Sequence, residues 1–195
     1  MTASTEHATV GVVGRHWGTA STIRQINLDD LRIVSDNVLE LDGHTAPGPF
    51  APVALSEAVS DIDALRQAFV ADMNALAERG ADGGTRGRHV ADVEMEAQIW
   101  RGGYEKPMFA VPNDYIAWFF LGVVPPKEPD AGTIAVFDPR AGSAMTAMPG
   151  LPWGRQLTIT PAAGSLAVVP GWLTCSIVPV EKGEVIAVVV ATSIT

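Results

Sequence analysis

The chain has a single cysteine, Cys175, and only four histidines among its 195 residues. One cysteine excludes an internal disulfide and fits a reducing compartment. The net charge of −9 argues against nucleic acid and anionic membrane surfaces as partners. No apolar run approaches the ~20 residues of a membrane span, and the N-terminus lacks the basic flank and apolar run of a signal peptide. We therefore expect a cytoplasmic protein.

Cationic and imidazole side chains are also absent from particular regions. No Lys or Arg follows Lys182, and all four histidines, His7, His16, His44 and His89, precede residue 90. Apolar residues make up 47% of the chain and no charge-rich tract interrupts it, so we expect one globular domain over residues 1–195. Within it, residues 1–89 form a helix-containing region and residues 90–195 form the core.

What is present after residue 90 is almost all strand and turn. Residues 93–100 alternate apolar and polar side chains, and Tyr115–Val124 is a nearly continuous apolar strand. The stretch GSLAVVPGWLTCSIVP, residues 164–179, reads as two strands around a Pro-Gly corner. In the second of these strands Leu173, Cys175 and Ile177 share one face. About eight strands after one long helix predict a mainly β fold, a double-stranded β-helix (jelly-roll, cupin-like) barrel.

The clear helix is Ser56–Arg79. Ser56 or Ser60 can cap its start, and Gly80 is a natural stop. Its apolar residues recur at steps of three and four and form one stripe: Val59, Ile62, Leu65, Phe69, Met73 and Leu76. We expect this helix to pack on the outside of the larger sheet of the barrel.

Two segments resemble a known family. GSLAVVPGWLTCSIVP, and EKPMFAVPNDYIAWFFL at residues 105–121 with the later Asp138-Pro139-Arg140, resemble the motifs of small bacterial and phage non-haem iron, 2-oxoglutarate-dependent oxygenases. The resemblance covers residues 100–191. It implies two iron ligands in the earlier segment, a third in the later one, and an Arg for oxoglutarate at the start of the last strand. Those positions hold Met108, Ala110, Cys175 and Val185.

Iron in such sites needs two imidazoles and one carboxylate on one face of the metal. A thioether, a methyl group and a thiol do not provide that set, and Val185 cannot pair with a carboxylate. The sequence thus predicts the scaffold of the oxygenases with the metal ligands and the oxoglutarate-binding Arg lost. We expect no metal and no cofactor, and a true oxygenase with unusual ligands is the least favoured reading.

If the family's positions carry over, the mouth of the barrel is a mostly apolar small-molecule pocket. Arg140, Cys175 and Tyr115 are the candidate catalytic residues. Cys175 is read as a packed core thiol, which is the favoured reading, as a hydrogen-bonding or acid–base group, or as a covalent nucleophile. Arg140 either binds an anionic or enolic oxygen or pairs with a surface acid. Tyr104 is another hydrogen-bond donor for the cavity, and Glu94 with Glu96 is either a polar strand face or an acid–base pair. The expected substrate-binding residues are Trp100, Met108, Ala110, Trp118, Phe120, Trp153 and Ile177.

Two classes of function fit these residues. A metal- and cofactor-independent enzyme would cyclise or isomerise a hydrophobic small molecule, because orientation and one hydrogen bond can lower such a barrier. The Ala-, Val- and Gly-rich composition is typical of high-GC bacteria, where such enzymes serve secondary metabolism. The alternative is a non-catalytic protein that binds a small molecule or regulates a partner enzyme. A homodimer is one arrangement that the sequence leaves open.

Overall fold

The computed structural model describes residues 13–16, 19–28, 38–40, 48–79, 87–124, 126–139 and 156–194. The helical segments in these ranges are α1 (Leu55–Ala58), α2 (Ile62–Arg79) and a short 3₁₀ turn at Val38–Glu40. The strands, in chain order, are β1 (Val13–His16), β2 (Thr19–Gln25), β3 (Phe50–Val53), β4 (Asp92–Arg101), β5 (Lys106–Phe109), β6 (Tyr115–Val124), β7 (Ile134–Val136), β8 (Leu157–Ile159), β9 (Ser165–Pro170), β10 (Cys175–Ile177) and β11 (Val185–Ile194).

The strands form two antiparallel sheets. The large sheet has the order β1-β2-β9-β6-β11-β4-β3, and the small sheet has the order β5-β10-β7-β8. From β4 to β11 the chain alternates between the sheets, except that β7 and β8 both lie in the small one. Eight strands that cross in this way between two sheets make a jelly roll, so the predicted fold class is confirmed.

The first part of the chain adds strands that the sequence analysis did not predict. Strand β2 pairs with β9, and β1 extends the sheet beyond β2. At the other edge β3 pairs with β4. Residues before 90 therefore widen the large sheet on both sides, in addition to supplying the helices.

The helix predicted at Ser56–Arg79 is divided in two. Val59 has an extended backbone, with φ of −133°, and separates α1 from α2. The Asp61 side chain accepts a hydrogen bond from the Ala64 N–H at 2.9 Å, so Asp61 caps α2 in place of Ser56 or Ser60. The predicted end of the helix at Arg79 agrees with the structure.

The large sheet separates two apolar clusters. On one face, α2 packs Leu65, Phe69 and Met73 against the sheet. On the other face, the two sheets enclose a barrel core that contains Leu173, Cys175 and Ile177, whose shared face was predicted correctly. Residues 115–122 of β6 are all buried, because their side chains alternate between the two clusters. Among the described residues, no helix has the length and apolar character needed to cross a membrane.

The docking of α2 depends on Phe69, whose side chain is 0% exposed. Phe69→Ala should lower the free energy of unfolding by about 3–5 kcal/mol, because it removes buried apolar contacts and leaves a cavity. Urea unfolding measures this loss. Gln67→Ala, at an exposed position of the same helix, is the matched control and should change stability by no more than about 0.5 kcal/mol. Equal effects of the two changes would contradict this packing of α2.

A carboxylate is buried in the turn between β10 and β11. Glu184 is 2% exposed, and its Oε2 accepts a hydrogen bond from the Glu181 N–H at 2.9 Å. Its Oε1 is buried without a hydrogen-bond partner in the described part of the chain. Burial raises the pKa of Glu184 above its ordinary value; the Glu181 N–H bond works against this rise, and the Glu181 charge adds to it.

Glu184→Gln should therefore stabilise the protein at neutral pH. Because the folded-state pKa is raised, the folded protein holds this proton more tightly than the unfolded chain does. The stabilisation that the proton gives is present below the unfolded pKa and is lost as the pH rises through the folded pKa. The gain of Glu184→Gln over the parent should be small at about pH 4 and larger at about pH 7, measured by urea unfolding. An equal gain from exposed Glu128→Gln would assign the effect to net charge instead.

Candidate functional site at the barrel mouth

Most of the predicted interior residues do lie together in the barrel core. The set is at most 4% exposed and comprises Trp100, Trp118, Phe120, Cys175 and Ile177. Trp100 and Phe120 meet edge to face, with ring centroids 6.5 Å apart. These side chains fill the barrel and pack against one another, whereas the sequence analysis expected them to border a cavity. Their role in substrate binding remains a prediction.

Met108 and Ala110 were predicted to border the mouth, but their side chains face the outer side of the small sheet. The inward-facing residue is Phe109, which lies between them. Phe109 pairs with Cys175 across β5 and β10, and directly paired residues of antiparallel strands share a face. Phe109 consequently packs against the barrel core, while Met108 and Ala110 are exposed on the outer side, Met108 at 70%. Two apolar residues flank Phe109, so alternation gave no signal for the inward face.

Three further predicted residues do not join this set. Tyr115 packs in the cluster beneath α2, on the opposite face of the large sheet, so its assignment to the barrel interior is wrong. Strand β6 is apolar on both faces, which hid the direction of its first side chain. Arg140 and Trp153 lie outside the described residues.

Cys175 is an inert thiol in this structure. It is 0% exposed, and its Sγ lies 3.6 Å from the Leu173 carbonyl oxygen. Burial raises the pKa of the Cys175 thiol to about 12, against a smaller lowering by the Lys106 charge. Only the thiolate is strongly nucleophilic, so this environment opposes the nucleophile reading and favours the packed thiol.

We expect the Cys175 thiol to resist alkylation in the native protein. At a pKa of about 12, roughly one thiol in 10⁴ is ionised at about pH 8, and burial blocks the reagent as well. Iodoacetamide labelling followed by mass spectrometry should show modification in denaturant and almost none in buffer. Rapid stoichiometric labelling of the folded protein would show that the thiol is accessible and ionised.

The polar side chains on the barrel face of β4 come before Trp100, where the strand enters the barrel core. The barrel-facing side chains of β4 change from exposed Glu94 and Glu96, through half-buried Gln98, to fully buried Trp100. The turn after β4 and strand β5 supply the remaining side chains of this opening. We call the following six residues the barrel mouth: Glu96, Gln98, Trp100, Tyr104, Lys106 and Phe109.

A chain of hydrogen bonds runs along β4 from solvent into the core. Trp100 Nε1 donates to Gln98 Oε1 at 2.9 Å, and Gln98 Nε2 donates to Glu96 Oε2 at 2.9 Å. Alternate residues of one strand face the same side, which is why these three side chains can reach one another. The Glu96 carboxylate is thereby oriented at the entrance.

Aromatic rings stack beside this chain. Tyr104 lies between Phe50 and Trp100, with centroid distances of 5.5 and 5.2 Å and interplanar angles of 25° in both pairs. The Val180 N–H donates to the Tyr104 carbonyl oxygen at 2.8 Å, and Gly103, with φ of 91°, makes the turn that directs the chain towards β5. Tyr104 is therefore held by its backbone as well as by its ring.

The barrel mouth has a negative charge on its β4 wall, from Glu96, and a positive charge on its β5 wall, from Lys106. Burial raises the pKa of Tyr104, and the negative charge of Glu96 raises it further, so the hydroxyl keeps its proton and remains a donor. On the other wall, Lys106 Nζ lies 4.1 Å from the centroid of the Phe109 ring. The mouth thus combines a carboxylate, a neutral phenol and an ammonium group around an apolar stack.

Glu96 and Tyr104 are minor candidates in the sequence, and neither Gln98 nor Lys106 stands out there as a site residue. The available signal was the polar alternation of residues 94, 96 and 98 in register with Trp100. It predicted a polar face, and only the pairing of the sheets shows that this face opens on the barrel.

The donor set at the barrel does not fit non-haem iron. The inward positions of the ligand segments are Phe109, Val111 and Cys175, which offer one buried thiol and neither imidazole nor carboxylate. Among the described residues, no three His, Cys, Asp or Glu side chains come together as metal ligands would.

Solved structures with a similar fold include three of limited likeness. A prolyl-4-hydroxylase of Pseudomonas putida is 16% identical, with a TM-score of 0.44 and 66% of each chain covered. A 2OG-Fe(II) oxygenase family oxidoreductase of Burkholderia pseudomallei is 16% identical, with a TM-score of 0.37 and coverage of 63% of this chain and 56% of that one. The cupin domain of Schizosaccharomyces pombe Cnp3 is 14% identical, with a TM-score of 0.31 and coverage of 52% and 53%.

This chain spans less than two thirds of the length of each of these structures. No protein-family model and no curated protein matches its sequence. The chemistry therefore has to be derived from the residues of this chain.

Proposed function

We propose that the protein is a metal- and cofactor-independent enzyme that isomerises or cyclises a hydrophobic small molecule at the barrel mouth. The observation that carries this proposal is the Glu96 carboxylate, hydrogen-bonded to Gln98, in the same opening as the neutral Tyr104 hydroxyl, whose pKa the Glu96 charge raises. A base and a proton donor in one opening are the pair that acid–base rearrangement requires. The stacked rings of Phe50, Tyr104 and Trp100 supply an apolar surface for the substrate.

The reaction needs no redox partner. Glu96 removes a proton from the carbon next to a substrate carbonyl, and the C–H electron pair moves into a new C=C bond as the carbonyl oxygen becomes negative. Tyr104 donates a hydrogen bond to that oxygen, which stabilises the enolate. Protonated Glu96 returns the proton at another carbon and gives the isomer. For ring closure, the enolate carbon instead attacks an electrophilic carbon of the same molecule.

Lys106 adds electrostatic help from the opposite wall. Its ammonium group is held over Phe109, close enough to the barrel core to lower the pKa of Cys175 slightly against burial. A positive charge there stabilises a developing oxyanion and attracts an anionic end of a substrate. The proposed catalytic residues are thus Glu96, Tyr104 and Lys106 in place of Cys175 and Tyr115, while Arg140 lies outside the described residues and stays a prediction.

The test uses hydrophobic β,γ-unsaturated ketones in D₂O, with conjugation followed by absorbance and deuterium uptake by NMR. Glu96→Gln should lower turnover by about 10²-fold or more, because it removes the base. Tyr104→Phe should lower it by about 10²-fold through the loss of one oxyanion donor. Glu94→Gln is the matched control, since Glu94 is exposed on the same face of β4 without a place in the hydrogen-bond chain.

Two further controls are needed. One separates acid–base chemistry at the mouth from iron-dependent turnover, and the other separates it from a site on the outer surface of the small sheet. Chelator and added iron should leave turnover unchanged, since Phe109, Val111 and Cys175 offer no iron ligand set. Ala110→Trp should also be silent because position 110 is exposed on the outer side of that sheet. Full activity in Glu96→Gln, or activity restored only by iron, would contradict the proposal.

The second candidate function is a non-catalytic small-molecule-binding protein. The filled barrel core and the inert Cys175 thiol favour it, because neither offers a reactive group in the interior. Saturable ketone binding without deuterium uptake would support this function over the enzyme.

A further inference from the structure

A pocket lies on the α2 side of the large sheet, away from the barrel mouth. It has a volume of about 120 Å³ and is lined by Asn74, Ala77, Glu78, Gly87 and His89. That is room for several water molecules or for a ligand of a few non-hydrogen atoms. We call it the helix-end pocket because the last turns of α2 form one wall.

The walls of the helix-end pocket are fixed by hydrogen bonds. Asn74 Nδ2 donates to the Val90 carbonyl oxygen at 3.0 Å, and the Val90 N–H donates to Asn74 Oδ1 at 2.9 Å. The Gly87 N–H donates to the Ala77 carbonyl oxygen at 3.2 Å. Arg88 donates to both carboxylate oxygens of Asp114, at 3.1 and 3.0 Å. The segment before β4 is thus tied to α2 on one side and to the start of β6 on the other.

Tyr115 supplies a polar group at the Gly87 wall. Its side chain is 8% exposed, and its hydroxyl has no hydrogen-bond partner among the described residues. A Cβ on Gly87 would lie 2.7 Å from the Tyr115 hydroxyl oxygen, so the absence of a side chain at residue 87 leaves this hydroxyl room. A ligand acceptor atom in the pocket would accept a hydrogen bond from this hydroxyl.

The charge of the pocket is negative. Glu78 is the charged side chain among the lining residues, and neither Glu78 nor His89 makes an ion pair or hydrogen bond within the described part of the chain. The nearby Arg88 charge is paired with Asp114. A cationic group is therefore the complement of this wall.

We propose that the helix-end pocket binds a small primary amine that also carries a hydroxyl or carbonyl oxygen. The ammonium group pairs with the Glu78 carboxylate, and the oxygen accepts a hydrogen bond from the Tyr115 hydroxyl. His89 lies at the exposed rim and gives a third polar contact. A ligand with so few atoms binds weakly, in the millimolar range. This site is independent of the function proposed for the barrel mouth.

The test titrates the folded full-length chain with ethanolamine, propylamine and propanol, while NMR follows the His89 imidazole and the Ala77 methyl group. Ethanolamine should give a saturable shift, and the other two should bind about tenfold or more weakly because each lacks one of the two polar groups. Glu78→Gln and Tyr115→Phe should each weaken ethanolamine binding, Glu78→Gln by about tenfold. Glu57→Gln, an exposed acid on α1, should bind as the parent does.

Equal binding of the three compounds, unsaturable shifts, or unchanged affinity in folded Glu78→Gln would overturn the proposal. Gly87→Ala should also block binding by filling the pocket. Its Cβ would crowd Ala77, at 3.0 Å from the Cα, so thermal unfolding must show that this variant remains folded. The conclusion rests on Glu78→Gln and Tyr115→Phe, which add no atoms to the pocket wall.

Discussion

Burial of the large sheet on both faces is the constraint on which the rest of the structure depends. Residues 115–122 of β6 are all buried, and Leu166–Val169 of β9 are 0% exposed. Such strands are stable only when both faces are covered, because exposed apolar surface is unfavourable in water. Helix α2 covers one face and the small sheet covers the other. The positions of the barrel core and of the pocket beneath α2 both follow from this arrangement.

The same constraint decides where chemistry can take place in the barrel. Trp100, Trp118 and Phe120 occupy its centre, and burial keeps the Cys175 thiol protonated. A polar substrate group would have to displace packed rings to enter, which costs their contacts. The polar groups of the barrel mouth come from β4 at Gln98 and Glu96 and from Tyr104 in the turn after that strand. The polar and charged side chains are therefore concentrated at the barrel mouth, and the interior is occupied by packed apolar side chains.

Patterns carried within one strand could be predicted from the sequence, whereas relations between strands could not. The shared face of Leu173, Cys175 and Ile177 follows from simple alternation, as does the apolar stripe of α2. The directions of the Met108 and Tyr115 side chains could not be predicted in this way. Met108 lies within a run of consecutive apolar residues, and Tyr115 begins another. The stacking of Tyr104 on Trp100 depends on the turn at Gly103 and on the hydrogen bond from the Val180 N–H, two features that no local pattern records.

Packing alone accounts for the inner part of the hydrogen-bond chain at the barrel mouth, and it does not account for the charge of Glu96. A buried indole N–H needs an acceptor, and Gln98 provides it for Trp100. Gln98 is only half buried, so water could satisfy its own amide N–H without a charged residue. Glu96 adds a negative charge beside Tyr104 and so disfavours ionisation of that phenol. The packing of Trp100 requires an acceptor such as Gln98, whereas the exposed Glu96 carboxylate is not required for the packing of the barrel core.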